Sequence, residues 1–214
     1  MAVDRHLNFF EFQKACAKPG CPLCRIVTSR AERYIDNMLF EHVSNRGFRA
    51  AFRAAGGFCN FHARTLESFR DGLAVAILDR DILEDELTAF KARKKRKLKG
   101  TCPVCEERSR IENEYLSFLL GADGESPEER ELREAVTASS GLCIPHYGKL
   151  LQTGGRVPSW LREFHESRFE ALLRRTNQFI ELSAYGRQDE FARLSPEDQV
   201  VWKELAALLR GGER

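Results

Sequence analysis

Two short motifs, each present twice, carry the chemistry of this 214-residue chain. Cys21-Pro22-Leu23-Cys24 is followed by Gly57-Phe58-Cys59-Asn60-Phe61-His62, and Cys102-Pro103-Val104-Cys105 by Gly141-Leu142-Cys143-Ile144-Pro145-His146. Thiolate sulfur and imidazole nitrogen are the donors of closed tetrahedral zinc sites, and C-x2-C or C-x2-H lets one short turn offer two of them. Taken in order, the first half supplies Cys21, Cys24, Cys59 and His62, and the second Cys102, Cys105, Cys143 and His146. Two Cys3His sites, one per half, and two zinc ions per chain are expected. An iron–sulfur cluster is the alternative cofactor, because soft thiolates suit either.

The duplication reaches beyond the ligands. Tyr34 lies ten residues after Cys24 and Tyr115 ten after Cys105, while Leu66 and Leu150 each lie four after a motif histidine. Cys24 and Cys59 are 35 positions apart, Cys105 and Cys143 38. One C-x2-C is unremarkable among 7 cysteines, but two matched copies at nearly one spacing are not. Cys16 has no counterpart, since Lys97 stands in its place in the second half. It reads as a small buried side chain or a free thiol. In a redox reading it becomes the resolving thiol for zinc released on oxidation. An odd number of cysteines in C-x2-C pairs fits a reduced cytoplasmic protein better than a secreted disulfide scaffold, which would leave both placed histidines unexplained.

The elements that must position these residues read as helices throughout, and the expected fold class is all-α. Phe9, Phe10 and Phe12 lie on a lead-in that turns at Pro19-Gly20. Ile26, Val27, Ala31, Tyr34, Ile35, Met38 and Leu39 recur at helical spacing after Cys24, as Ile111, Tyr115, Phe118 and Leu119 do after Cys105. A short helix over 45–55 should stop at Gly56-Gly57, and another should start at the strong cap Ser126-Pro127-Glu128-Glu129. Cys59 and His62, at i and i+3, share a face of the next helix. A helix over 73–90 is expected to turn Leu78, Ile82, Leu87 and Phe90 inward and Asp79, Asp81, Glu84 and Asp85 outward. Its counterpart, 160–182, carries His165, read as a satisfied core or boundary histidine; His42 is read likewise and His6 as exposed. Ser195-Pro196 caps a last helix anchored by Trp202. The layout expected is two similar three-helix halves, each stapled by a Cys3His metal site, plus a C-terminal helix. The corresponding domains are residues 1–95 and 96–190 as N- and C-terminal metal-binding repeats, and 191–214 as the C-terminal helix.

Several function classes drop out. Met1 to Lys14 has no apolar core of a signal peptide, and the longest apolar run, Leu73 to Leu78, is far too short to span a membrane. No nucleophile elbow, phosphate-cradling loop or His-Glu-x2-His helix is present. Arg64 and Gly148 stand where a zinc deaminase would carry its glutamate two residues after a ligand histidine. Four protein ligands per ion leave no open position, so no residue is expected to be catalytic. A zinc-binding module of the binding or adaptor type follows, with an unknown protein as partner and a cytoplasmic location. Lys91, Arg93, Lys94, Lys95, Arg96, Lys97 and Lys99 form a basic run in a chain of net charge +2. They read as a solvated helix end beside acidic residues, or as a phosphate-binding patch for nucleic acid without aromatic residues for base stacking.

With these motifs the chain resembles a family of uncharacterised bacterial proteins with duplicated CPxC and GFCxxH motifs and a helical C-terminus capped by S/T-P-E-E/D. The resemblance covers nearly the whole chain and implies no activity. It implies metal binding at Cys21, Cys24, Cys59, His62, Cys102, Cys105, Cys143 and His146. Leu142 departs from the pattern, where the first half has Phe58.

Overall fold

The computed structural model describes residues 2–66, 68–69 and 71–212. Helices in chain order are α1 (Ala2–Cys16), α2 (Pro22–Asn37, prolonged by a π-helical turn Met38–His42), α3 (Arg46–Ala55), α4 (Asn60–Leu66), α5 (Gly72–Lys91), α6 (Pro103–Leu120), α7 (Pro127–Thr137), α8 (Ile144–Gln152), α9 (Ser159–Leu182), α10 (Gln188–Phe191) and α11 (Val201–Arg210). No strand occurs among the described residues, so the fold is all-α. No helix among them is long and apolar enough to cross a membrane.

Local chemistry sets the helix ends. Asn45 accepts from the Phe48 N–H at 3.0 Å to start α3, and Gly56, at φ 81°, closes it by returning its N–H to the Phe52 and Arg53 carbonyls. Ser126 and Glu129 cap each other's backbone in a complete capping box at the start of α7. The last helix departs from expectation. Ser195 Oγ does accept from the Asp198 N–H at 3.0 Å, but a single 3-10 turn follows and α11 begins only at Val201. Val201 is the residue buried there, while Trp202 is 53% exposed with Lys203 over its ring, so it is not the anchor.

The chain forms two compact units that are not consecutive. One comprises the residues through Ile26 with those from Glu112 onward, and the other is Val27–Ile111. This differs from the sequential division at residues 95 and 190, because both boundaries fall inside long helices, α2 and α6. In the first unit α1 packs on α7, α7 on α9, and α11 on both α8 and α9. Phe12, Tyr115, Leu116, Leu119, Leu132 and Leu150 fill its core. The Tyr115 ring stacks on Phe12, and its hydroxyl donates to Glu11 at 2.6 Å, which satisfies the one polar atom that burial would strand.

In the second unit Ile35, Met38, Phe52, Leu66, Leu78 and Val104 pack together, with Tyr34 at the edge. Here α3 lies on α5, joined by two ion pairs at matched i, i+4 positions. Arg49 grips Asp81 with two bonds of 2.6 Å, and Arg53 Nε reaches Asp85 at 3.0 Å. Asp81 is therefore buried rather than outward, and Leu87 and Phe90 are exposed rather than inward. Arg96 joins this group through Glu86, at 3.2 Å, and the Arg53 carbonyl, so it is drawn out of the basic run. Asp81→Asn keeps the shape and removes the charge that Arg49 matches. Thermal or urea unfolding should show a loss of about 1–3 kcal/mol. Asp85→Asn should cost less, because its side chain is 29% exposed against 3% for Asp81.

Candidate metal centres

Each motif places its donors by simple local geometry. In the first unit the C-x2-C of Cys21 and Cys24 spans the loop into α2 and its first turn, and Cys143 is the N-cap residue of α8, one turn before His146. In the second unit Cys102 and Cys105 stand likewise at the start of α6, and Cys59 and His62 at the start of α4. Every donor thus sits at a helix N-terminus, where unsatisfied N–H groups favour thiolate over thiol.

The structure gathers all eight residues into two tetrads, but not in sequence order. Cys21 and Cys24 meet Cys143 and His146, while Cys59 and His62 meet Cys102 and Cys105. The expected pairing within each half is therefore corrected to a nested one. Helix length is the reason. From Pro22 through His42 the chain advances 21 residues as one helix, roughly 30 Å at about 1.5 Å per residue. The ten residues of α3 retrace only about half of that. The Cys59 knuckle lies in the same compact unit as Cys102 and Cys105, and Cys143 in that of Cys21 and Cys24.

Within each tetrad all four donor atoms lie within 4.8 Å of one another. Nδ1 of His146 stands 3.4 Å from Cys21 Sγ, 3.4 Å from Cys24 Sγ and 3.2 Å from Cys143 Sγ, and the Cys24 and Cys143 sulfurs are 3.6 Å apart. Nδ1 of His62 stands 3.3 Å from Cys59 Sγ and 3.4 Å from both Cys102 and Cys105, and the Cys59 and Cys105 sulfurs are 3.7 Å apart. A tetrahedral ion with bonds of about 2.3 Å to sulfur and 2.0–2.1 Å to nitrogen implies donor separations of roughly 3.5–3.8 Å. Both tetrads have the donors and the spacing to hold one metal ion each. The protonation chemistry is that of crowded thiols. Hydrogen bonds from Cys143 and Cys21 hold Cys24 far below the usual thiol range, while burial pushes Cys21 well up. Burial and the neighbouring Cys59 raise Cys105 to about 12.

The two tetrads differ in what surrounds them. On His146 the free ring nitrogen, Nε2, faces the Glu112 carboxylate at 3.5 Å, and Lys149 pairs with the same carboxylate. Burial opposes the Glu112 charge, yet His146 and Lys149 bring its pKa down to about 2. His62 Nε2 is buried and has no hydrogen-bond partner among the described residues. His165, fully buried, works one step further out. Its Nε2 accepts the Leu142 N–H at 2.9 Å and its Nδ1 donates to the Leu161 carbonyl at 2.7 Å, so the loop before Cys143 is tied to α9. The same loop needs Gly141, at φ 64°, where a Cβ would come within 2.9 Å of the Phe164 ring. After α11, the Gly212 N–H donates to Cys24 Sγ at 3.0 Å, and a Cβ there would press on the Cys24 Cβ at 2.9 Å. Cys105 is exposed and Cys59 half-buried in the other tetrad.

Sequence reading places His165 in the core but misses its bond to Leu142. It also misses Glu112 and Gly212. A signal for Glu112 was present: it lies seven residues after Cys105, where the repeat has Ala31 after Cys24. Cys16 is buried, takes no part in either tetrad, and is raised to about 11 by burial. Arg93, Lys94, Lys95, Lys97 and Lys99 are exposed, as is Lys91. His42 is exposed rather than in the core, with its ring stacked on Phe48; His6 is exposed and pairs with Glu128 at 3.0 Å.

No family model matches the chain, and no solved structure does. The chain is similar to a protein of the bacterium Caldicellulosiruptor sp. (strain Rt8B.4), described as an uncharacterised 23.9 kDa protein in the xynA 3′ region. They are 26% identical over 172 residues, covering 77% of this chain and 83% of that one. The similarity is distant and brings no activity with it.

Two experiments test this geometry. Cys21→Ser combined with Cys143→Ser disables one tetrad and should leave one bound ion per chain, whereas Cys21→Ser with Cys59→Ser disables both. Pairing within each half would give the reverse, and metal analysis of the two double variants separates the cases. Glu112→Gln should weaken metal binding at His146 by about 10–100-fold, as loss of an orienting carboxylate does, and leave the His62 tetrad unchanged in a chelator competition titration.

Proposed function

We propose that each tetrad holds one zinc ion in a closed Cys3His site, and that the protein is a metal-stapled helical module acting by binding another protein. The observation that carries this reading is the donor spacing. Separations of 3.2–3.7 Å between sulfurs and Nδ1 suit a single tetrahedral ion. Clusters with several irons place their thiolates on different metal atoms and so need the sulfurs spread further apart. Cys21, Cys24, Cys143 and His146 would hold one ion, and Cys59, His62, Cys102 and Cys105 the other. Bound there, zinc would supply structure: it ties helix starts that are distant in sequence, with apparent folding energies in comparable sites of about 10–16 kcal/mol. That is as large as the whole stability of an ordinary domain, about 5–15 kcal/mol. Six thiols kept as ligands fit a reducing compartment such as the cytoplasm.

Four protein donors per ion leave no position for substrate or water, which supports a structural rather than a hydrolytic role. The partner proposed is a protein. Nucleic acid is the second reading, favoured by six exposed cations of the 91–99 run but weakened by Arg96, which already serves α5. Elemental analysis with an absorption spectrum, on protein purified anaerobically without added metal, is the decisive measurement. About two zinc per chain without visible absorption is expected. Iron with broad visible charge-transfer absorption would overturn the zinc assignment and put a redox role first.

A further inference from the structure

One helix is apolar on two opposite sides, and the second side is exposed among the described residues. Along α5, Ala74, Leu78 and Asp81 are buried, with Asp85 continuing that face. On the opposite face Leu73, Ala76, Arg80, Leu83, Leu87 and Phe90 are all exposed, at spacings of three and four. The exposures are large: 74% for Leu73, 68% for Leu83, 49% for Leu87 and 68% for Phe90. This is an a/d heptad stripe running nearly the length of a 20-residue helix. Single exposed leucines need no explanation, but a continuous seam of them does.

We propose that α5 pairs with α5 of a second copy of this chain, antiparallel about a two-fold axis near Asp81 and Ile82. The stripe is self-complementary in that register. Leu73 meets the partner's Phe90, and small Ala76 meets the partner's Leu87. Arg80, the one charge in the seam, falls beside the partner's Leu83 with its guanidinium at the partner's Glu84. In the single chain Arg80 donates to Asp81 Oδ1 at 3.3 Å and reaches its own Glu84 at 3.7 Å, the latter pair with both side chains about 60% exposed. Such a pair contributes little in water and is free to be exchanged across an interface. A parallel arrangement would set Arg80 against the same arginine of the other copy, like charge on like. A two-fold interface is closed, so association stops at the dimer. The proposal is independent of which metal fills the tetrads, none of whose residues lie on α5.

The test is sedimentation velocity on the metal-loaded full chain across a concentration series up to roughly 100 μM. A reversible dimer is expected. Leu87→Glu, an exposed position, should weaken it at least tenfold without changing helicity or melting of the monomer. Arg80→Glu should do the same by facing the partner's Glu84, and Arg80→Glu with Glu84→Arg in one chain should restore dimerisation. A wild-type chain that stays monomeric throughout overturns the proposal and leaves the stripe to a different protein. A dimer indifferent to both Leu87→Glu and Arg80→Glu overturns it as well, and so does failure of the charge swap to restore pairing.

Discussion

Soft donors crowded to within hydrogen-bonding distance of each other are the constraint on which this structure depends. Thiols at 3.6–3.7 Å from one another, with Cys102 and Cys143 buried and Cys21, Cys24 and Cys59 half-buried, are not a favourable arrangement unless something compensates. Burial pushes one sulfur of a tetrad up while its neighbours pull another down, the mark of a site whose components cannot all be satisfied by protons. Helix N-termini help by directing N–H groups at the sulfurs. A cation held by all four would satisfy them at once, and ligand deprotonation would couple folding to its capture.

The surroundings of the two tetrads are unequal in kind. Around His146 the support is layered: a carboxylate behind the imidazole, a lysine behind the carboxylate, a buried histidine tying down the loop before Cys143, and a backbone N–H on Cys24. Around His62 nothing among the described residues bonds Nε2, and Ala31, seven residues after Cys24 as Glu112 is after Cys105, belongs to that unit's core. The two tetrads share their residue types and differ in what holds those residues in place.

Much of the fold was legible in the residues themselves. Helical periodicity, Asn45, Gly56 and the Ser126 capping box located α3, α5, α9 and the start of α7 to within a residue or two, because each is a local signal. The eight Cys and His residues that gather into the two tetrads were legible for the same reason. Their pairing was not, since both C-x2-C elements are compatible with both C-x2-H elements and only the lengths of the intervening helices decide. The orientation of α5 failed for a different reason. A helix apolar on two faces offers two stripes, and Asp81 was misread as a surface charge because its partner, Arg49, lies on another helix. Trp202 shows the limit of judging by size: the smaller Val201 occupies the buried position beside it.

The nested pairing also fixes a timetable. A ribosome delivers Cys21 and Cys24 first, yet their companions lie about 120 positions downstream. The inner four donors, separated by only 46 positions from Cys59 to Cys105, are complete while the outer pair is still waiting. Closing the longer loop costs only about 0.8 kcal/mol more in chain entropy, so thermodynamics barely distinguishes the two. Synthesis does: at 5–20 residues per second, roughly 2–8 s separate Cys105 from His146. During that interval the inner four residues can meet while Cys21 and Cys24 still lack Cys143 and His146, and the Gly212 N–H reaches Cys24 later still.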